Sequence, residues 1–276
     1  MMKIATACLL IVCVLWVLWI LLLYIFQDRL VFPGAWMQVA TGPLDRPGAE
    51  VLVVAREDGD IPAWFFTGTG ASAQTPRGTV VLLHGNGHAM DDWFEFASAI
   101  AASGVHVLLP EYRGYGHAPG TPSQDALIED VVAFRDRVAE RPEVDEKRFV
   151  YYGRSIGAAL GAQVALERPP AGLLLHTPPS SIAEYAWRYG APPVLIRHPF
   201  RTTVALEQLS EVPILIIAHD RDGIVPASHQ RTLKAKAPHA EFLELSGTHN
   251  AFSTESDRDA FHTALSAFIE KHAGSG

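Results

Sequence analysis

Residues 149–161, FVYYGRSIGAALG, put a serine where a nucleophile is useful. Gly153-Arg154-Ser155-Ile156-Gly157 has the form G-x-S-x-G, with an apolar strand-like run before it and a small-residue helical run after it. In that setting Ser155 sits on a tight strand-to-helix turn that presents its hydroxyl at the carboxyl edge of a sheet. Small residues at 153 and 157 let the turn close against its neighbours. The backbone N–H of Ile156, at the helix start, faces negative charge developing on an attacked carbonyl. Taken alone, the motif also fits a glycine-rich structural bend, and Arg154 has no assigned role.

A serine hydroxyl is a weak nucleophile near neutral pH and needs a base, and the base needs an orienting group. Two later segments meet that demand, each just past an apolar run: HDRDGIVP (219–226) and SGTHNAF (246–252). They offer Asp222 as the orienter and His249 as the base. The order Ser155, Asp222, His249 is one that strand-to-helix serine sites use. Asp220 is a rival carboxylate closer to the strand end; Asp222 lies further into the loop, and Asp220 reads as a loop group bonding to backbone N–H.

LLHGNGHAMDDW (82–93) supplies a fourth piece. Gly85 and Gly87 permit backbone positions that side chains would obstruct, and the N–H of Asn86 is a second donor for an oxyanion. His84 follows a strand directly and reads as a structural hydrogen-bonding residue. His88 and Asp92 either line a pocket or face water. Trp187 and Tyr189, in a region of irregular pattern, are apolar enough to receive an acyl chain. His176, His198 and His219 share no motif. His84 and His88 stand four apart without a helix beneath them, so no metal site is expected. Neither a P-loop lysine nor a glycine-rich dinucleotide turn is present, so no cofactor is expected either.

The elements that would position these groups alternate along the chain. Apolar runs at 79–85, 105–114, 148–153, 171–177, 212–220 and 240–247 read as strands. Helical segments at 93–104, 123–140, 156–167, 229–237 and 257–273 lie between or after them. That rhythm means βαβ units and a mainly parallel sheet. Two earlier runs, 51–57 and 61–68, flank the turn Asp58-Gly59-Asp60 and read as a strand pair. The stretch 178–211 falls outside the rhythm and reads as a small cap.

At 276 residues and 49% hydrophobic, the chain can bury one substantial core. With 22 basic and 30 acidic residues its formal charge is −8, which argues against a nucleic-acid partner. Both cysteines, Cys8 and Cys13, lie in the first 13 residues, so the remainder can hold no disulfide. Ile4–Phe26 is an uncharged, largely apolar run of 23 residues. At about 1.5 Å per residue it reaches across a hydrocarbon core of about 30 Å. A cleaved signal would have a shorter apolar region followed by small residues, whereas this run ends in the bulky IFQDRLVF. The expectation is therefore an uncleaved anchor over 1–26, a connector over 27–50 and a catalytic domain over 51–273. Lys3 and the free amine favour a cytoplasmic N-terminus, with the domain on the non-cytoplasmic side of a single-pass membrane protein.

These motifs resemble those of α/β-hydrolase fold serine hydrolases, and within them the membrane-anchored Bem46-like group that includes alpha/beta hydrolase domain-containing protein 13. The segments that carry the resemblance are QDRLVFPG (27–34), LLHGNGHAMDDW (82–93), EYRGYGHAPGTPS (111–123), YGRSIGAALG (152–161), HDRDGIVP (219–226) and GTHN (247–250). It extends over nearly all of Phe26 to His272. It implies a mostly parallel eight-stranded sheet with helices on both faces. It also implies Ser155, Asp222 and His249 as the catalytic set, and hydrolysis of an ester or thioester. His88 and His219 depart from the pattern, where smaller residues are more usual. The fold hosts many reactions, so the resemblance names no substrate.

Overall fold

The computed structural model describes residues 2–37 and 41–274. An eight-stranded sheet forms its centre, in the order β1-β2-β4-β3-β5-β6-β7-β8. The strands are β1 Glu50–Val54, β2 Ile61–Phe66, β3 Arg77–Leu83, β4 His106–Pro110, β5 Val144–Arg154, β6 Gly172–His176, β7 Ile214–His219 and β8 Glu241–Leu245. β2 is antiparallel to both β1 and β4, and every pairing from β4 across to β8 is parallel. The architecture is that of an α/β-hydrolase.

The continuous apolar runs are explained by what covers them. β4, β6 and β7 are buried at every residue, as strands covered on both faces must be. One face packs against α3 Gln124–Ala139, α4 Ile156–Glu167, α5 Thr202–Gln208 and α6 Ala227–Lys236. There Leu127, Phe134, Leu160, Leu206 and Leu233 are fully or nearly fully buried against Val81, Tyr151 and Leu173. The opposite face packs against α2 Phe94–Ala102 and α7 Glu255–Ala273, through Phe94, Ile100, Phe261 and Leu265.

Local chemistry fixes the helix ends. The Ser123 hydroxyl accepts from the N–H of Ala126 at 3.1 Å to start α3. Thr254 does the same for Asp257 at 3.1 Å to start α7. Each cap of this kind contributes about 1 kcal/mol. Two elements lack an expectation from the sequence: α5, and a hairpin of β9 Gly247–Thr248 with β10 Ala251–Phe252.

The N-terminal helix α1 spans Met2–Val31, longer than the apolar run. It is long and apolar enough to cross a membrane by length and composition. It also continues through Gln27, Asp28 and Arg29, where a connector is expected, because the polar groups there find partners. Gln27 donates to the Leu195 carbonyl at 3.2 Å and accepts from the Arg197 N–H at 2.7 Å. Asp28 forms ion pairs with Arg197 at 2.9 Å and His198 at 3.2 Å. Phe32, fully buried, then pins the chain against Phe200 and His198. Residues 38–40 of the expected connector lie outside the described residues.

Candidate active site

Ser155 stands between the end of β5 and the start of α4, with φ 55° and ψ −120°. A non-glycine residue at positive φ costs about 1–3 kcal/mol and persists only where packing dictates it. The packing is visible. A Cβ on Gly157 would collide with the carbonyl oxygens of Leu83 and His84, and one on Gly153 with Gly157 and Ala158. No larger residue fits either place, so α4 lies directly on the end of β3. The N–H of Ser155 donates to the His176 carbonyl at 2.9 Å, tying the turn to β6.

His249 occupies the tip of the β9–β10 hairpin, just past β8. Asp222 lies in the loop after β7. Between Asp222 Oδ2 and His249 Nδ1 the distance is 2.6 Å. The other carboxylate oxygen, Oδ1, accepts from the N–H groups of Ile224 at 2.9 Å and Val225 at 2.8 Å. Burial by itself would raise the Asp222 carboxyl; the bonds from His249 and these N–H groups overcome it and hold the pKa below the ordinary value. Both oxygens are thus fixed, which orients the imidazole and leaves Nε2 available for chemistry. Asp220 faces elsewhere: it accepts from Gly247 N–H at 2.9 Å and from the Ser246 hydroxyl at 3.2 Å.

The loop after β3 brings Asn86 beside the serine turn. Its side chain is clasped from two directions, accepting from the Tyr115 hydroxyl at 2.5 Å and donating to the Val31 carbonyl at 2.6 Å. Among the described residues no protein group accepts from the Asn86 N–H. The Ile156 N–H belongs to the first turn of α4, where helix geometry supplies no acceptor. His84 is fully buried beneath this loop, with Nε2 3.1 Å from Glu111 and its ring stacked on Tyr112. A Cβ on Gly87 would meet nothing, so steric obstruction does not require a glycine there.

One cavity of about 640 Å³ gathers Asn86, His88, Ser155, Ile156 and His249. Its size lies within the range of roughly 300–1,000 Å³ usual for small-molecule sites. The structure places the four expected pocket residues differently with respect to this cavity. His88 and Tyr189 line it. Asp92 does not: its carboxylate accepts from the Ala89 N–H at 3.0 Å and caps a short turn. Trp187 does not either, since it is 68% exposed and outside the lining. Burial, followed by the nearby Arg154 charge, keeps the His88 imidazole below its ordinary pKa. Among the described residues no group of three or more His, Cys, Asp or Glu could hold a metal ion.

Two contributions escape the sequence motifs. Arg154 donates from Nη2 to the His249 carbonyl at 2.6 Å and to Asn250 at 2.9 Å, fastening the hairpin to the serine turn. Helix α1 lends Ile20, Leu23, Tyr24 and Gln27 to the cavity wall. The only sequence signal for the latter is the spacing of Trp16, Trp19, Tyr24 and Gln27, which recur near one helical face.

Residues 74–205 match the family model described as serine aminopeptidase, S33. An uncharacterized protein of Mycobacterium tuberculosis, Rv2307c, is 33% identical over 219 residues, covering 76% of this chain and 75% of that protein. The Arabidopsis thaliana alpha/beta hydrolase domain-containing protein WAV2 is 29% identical over 190 residues, 61% of each chain. Among solved structures, an alpha-beta hydrolase from Vibrio vulnificus superposes with a TM-score of 0.68 at 18% identity, covering 88% of this chain and 91% of that one.

Proposed function

We propose that this chain, which belongs to the α/β-hydrolase superfamily, is a serine hydrolase that cleaves carboxylic esters or thioesters through an acyl-enzyme. The observation that carries the reading is the 2.6 Å contact of His249 Nδ1 with Asp222, together with Ser155 and His249 lining one cavity. With Nδ1 committed to Asp222, His249 Nε2 takes the proton of Ser155 as its oxygen attacks the acyl carbonyl. The N–H groups of Asn86 and Ile156 bind the oxyanion. The proton on Nε2 then passes to the leaving alkoxide or thiolate, the C–O or C–S bond breaks, and the acyl group stays on Ser155. Water, deprotonated by the same nitrogen, releases the acid. Asp222 stays ionised throughout and stabilises the imidazolium.

Within the superfamily, QDRLVFPG, EYRGYG and GTHN support membership of the Bem46-like group. Helix α1 is the proposed single-pass anchor, with Lys3 on the cytoplasmic side and the hydrolase domain on the other. A reporter fused after His272 that is shielded from outside would reverse that orientation.

A fluorophosphonate probe should label the full chain and fail to label Ser155→Ala, and His249→Ala should lose ester turnover by roughly 10⁴-fold or more. Labelling that persists unchanged in S155A would sink the assignment. The name of the matching family points to a second reaction of the same residues, amide cleavage. An aminoacyl amide in the substrate screen separates the two.

A further inference from the structure

Helix α1 and the cap meet well inside the apolar run. The indole N–H of Trp16 donates to the Gly190 carbonyl at 3.1 Å, and that of Trp19 to the Tyr189 carbonyl at 2.8 Å. Trp16 lies twelve residues before Asp28, the first charge after the run. At 1.5 Å per residue the cap is therefore held about 18 Å up the helix. In a hydrocarbon core of about 30 Å that point is just past the midplane, while the cavity-lining stretch Ile20–Tyr24 lies about 6–12 Å in, inside the first leaflet. The cap's outward residues suit such a place: Trp187, Tyr189 and Val194 are 68%, 52% and 82% exposed. Arg188 sits beside them at the cavity wall, its guanidinium 6.0 Å from the centroid of the Tyr185 ring.

The cavity runs between these two elements. Ile20, Leu23 and Tyr24 of α1 form one wall, Ile182, Tyr185 and Tyr189 of the cap another, and Ser155 and His249 are reached from the same space. We infer that α1 is a wall of the substrate site as well as an anchor, and that the site takes a long-chain acyl ester of a lipid resident in the leaflet α1 enters. The acyl chain lies between α1 and Ile182–Tyr189, with its carbonyl at Ser155. This inference rests on the serine-hydrolase and anchor readings given above; the lipid's alcohol is the leaving group and the released acid returns to the leaflet.

The test uses the full chain in phosphatidylcholine vesicles carrying either monohexadecanoylglycerol or monobutanoylglycerol. The ratio of kcat/KM for the long ester over the short one is measured in the wild type, Leu23→Trp and Ile25→Trp. Ile25 is 58% exposed and outside the cavity lining. Loss of room for two methylenes lowers the ratio by about tenfold. That fall is expected for L23W, with no change for I25W and with fluorophosphonate labelling retained in both. If L23W does not assemble, Leu23→Phe gives the same reading. An equal ratio in wild type and L23W overturns the proposal, as does an equal fall in L23W and I25W. Faster turnover of a membrane-bound S-hexadecanoyl peptide than of the glycerol ester overturns the choice of a lipid. A wild type that is labelled but cleaves only the short ester overturns this inference alone. A wild type that is neither labelled nor active on either ester overturns the serine-hydrolase reading with it.

Discussion

Arg154 touches the proposed base through its backbone carbonyl, so it acts as a positioning residue. Burial lowers the pKa of its guanidinium. Arg154→Met should lower kcat by about ten- to a hundredfold, the effect of misplacing a catalytic group by a fraction of an ångström to an ångström. Arg154→Lys should restore part of it, and KM for a short ester should move less than kcat. Steady-state kinetics of the three proteins decides this. Asp222→Asn should cost roughly 10⁴-fold in kcat, because an amide holds the wrong imidazole tautomer. The proposed serine, acid and base could be picked out from the sequence because each follows an apolar run in a recognisable local pattern. Arg154 could not, since its acceptors lie 95 and 96 residues away. Asp92 looked available for a pocket because nothing in MDDW announces that a backbone N–H will claim its carboxylate.

Among the elements, the contact of α4 with β3 sets the reach of Ser155. Gly157→Ala forces a methyl into the carbonyl groups of Leu83 and His84. Overpacking of this kind costs about 1–3 kcal/mol, and a urea unfolding curve for G157A should show that loss together with reduced probe labelling. The strands and most helices were legible, since alternation of buried runs with amphipathic segments survives without tertiary information. The end of α1 was not. Hydropathy stops at Phe26, whereas the helix continues for five more residues to Val31 because cap groups satisfy Gln27 and Asp28. Such partners, about 170 positions downstream, leave no mark in the local pattern.

At the scale of the whole molecule, several buried imidazoles make stability depend on pH. His176 is held well below the ordinary value of about 6.5, chiefly by burial, with the Arg154 charge adding to it. Burial likewise lowers His106 and His219. The unfolded chain binds protons at these sites first as pH falls. Stability is therefore fully present above about 6.5 and declines below it. Asp222, also depressed, adds a second loss only when pH falls below about 3.9. Urea midpoints measured from about pH 7.5 down to 5 should fall, and His176→Phe should make the slope shallower. One contact binds this whole to its setting: the Val31 carbonyl at the end of α1 accepts from Asn86, whose N–H is the proposed oxyanion donor. A protease that sheds the domain by cutting between Val31 and Phe32 would therefore release an impaired hydrolase. On the proposed reading of α1 and the site, the tether would double as a licence to act and would confine activity to the address where the chain is inserted.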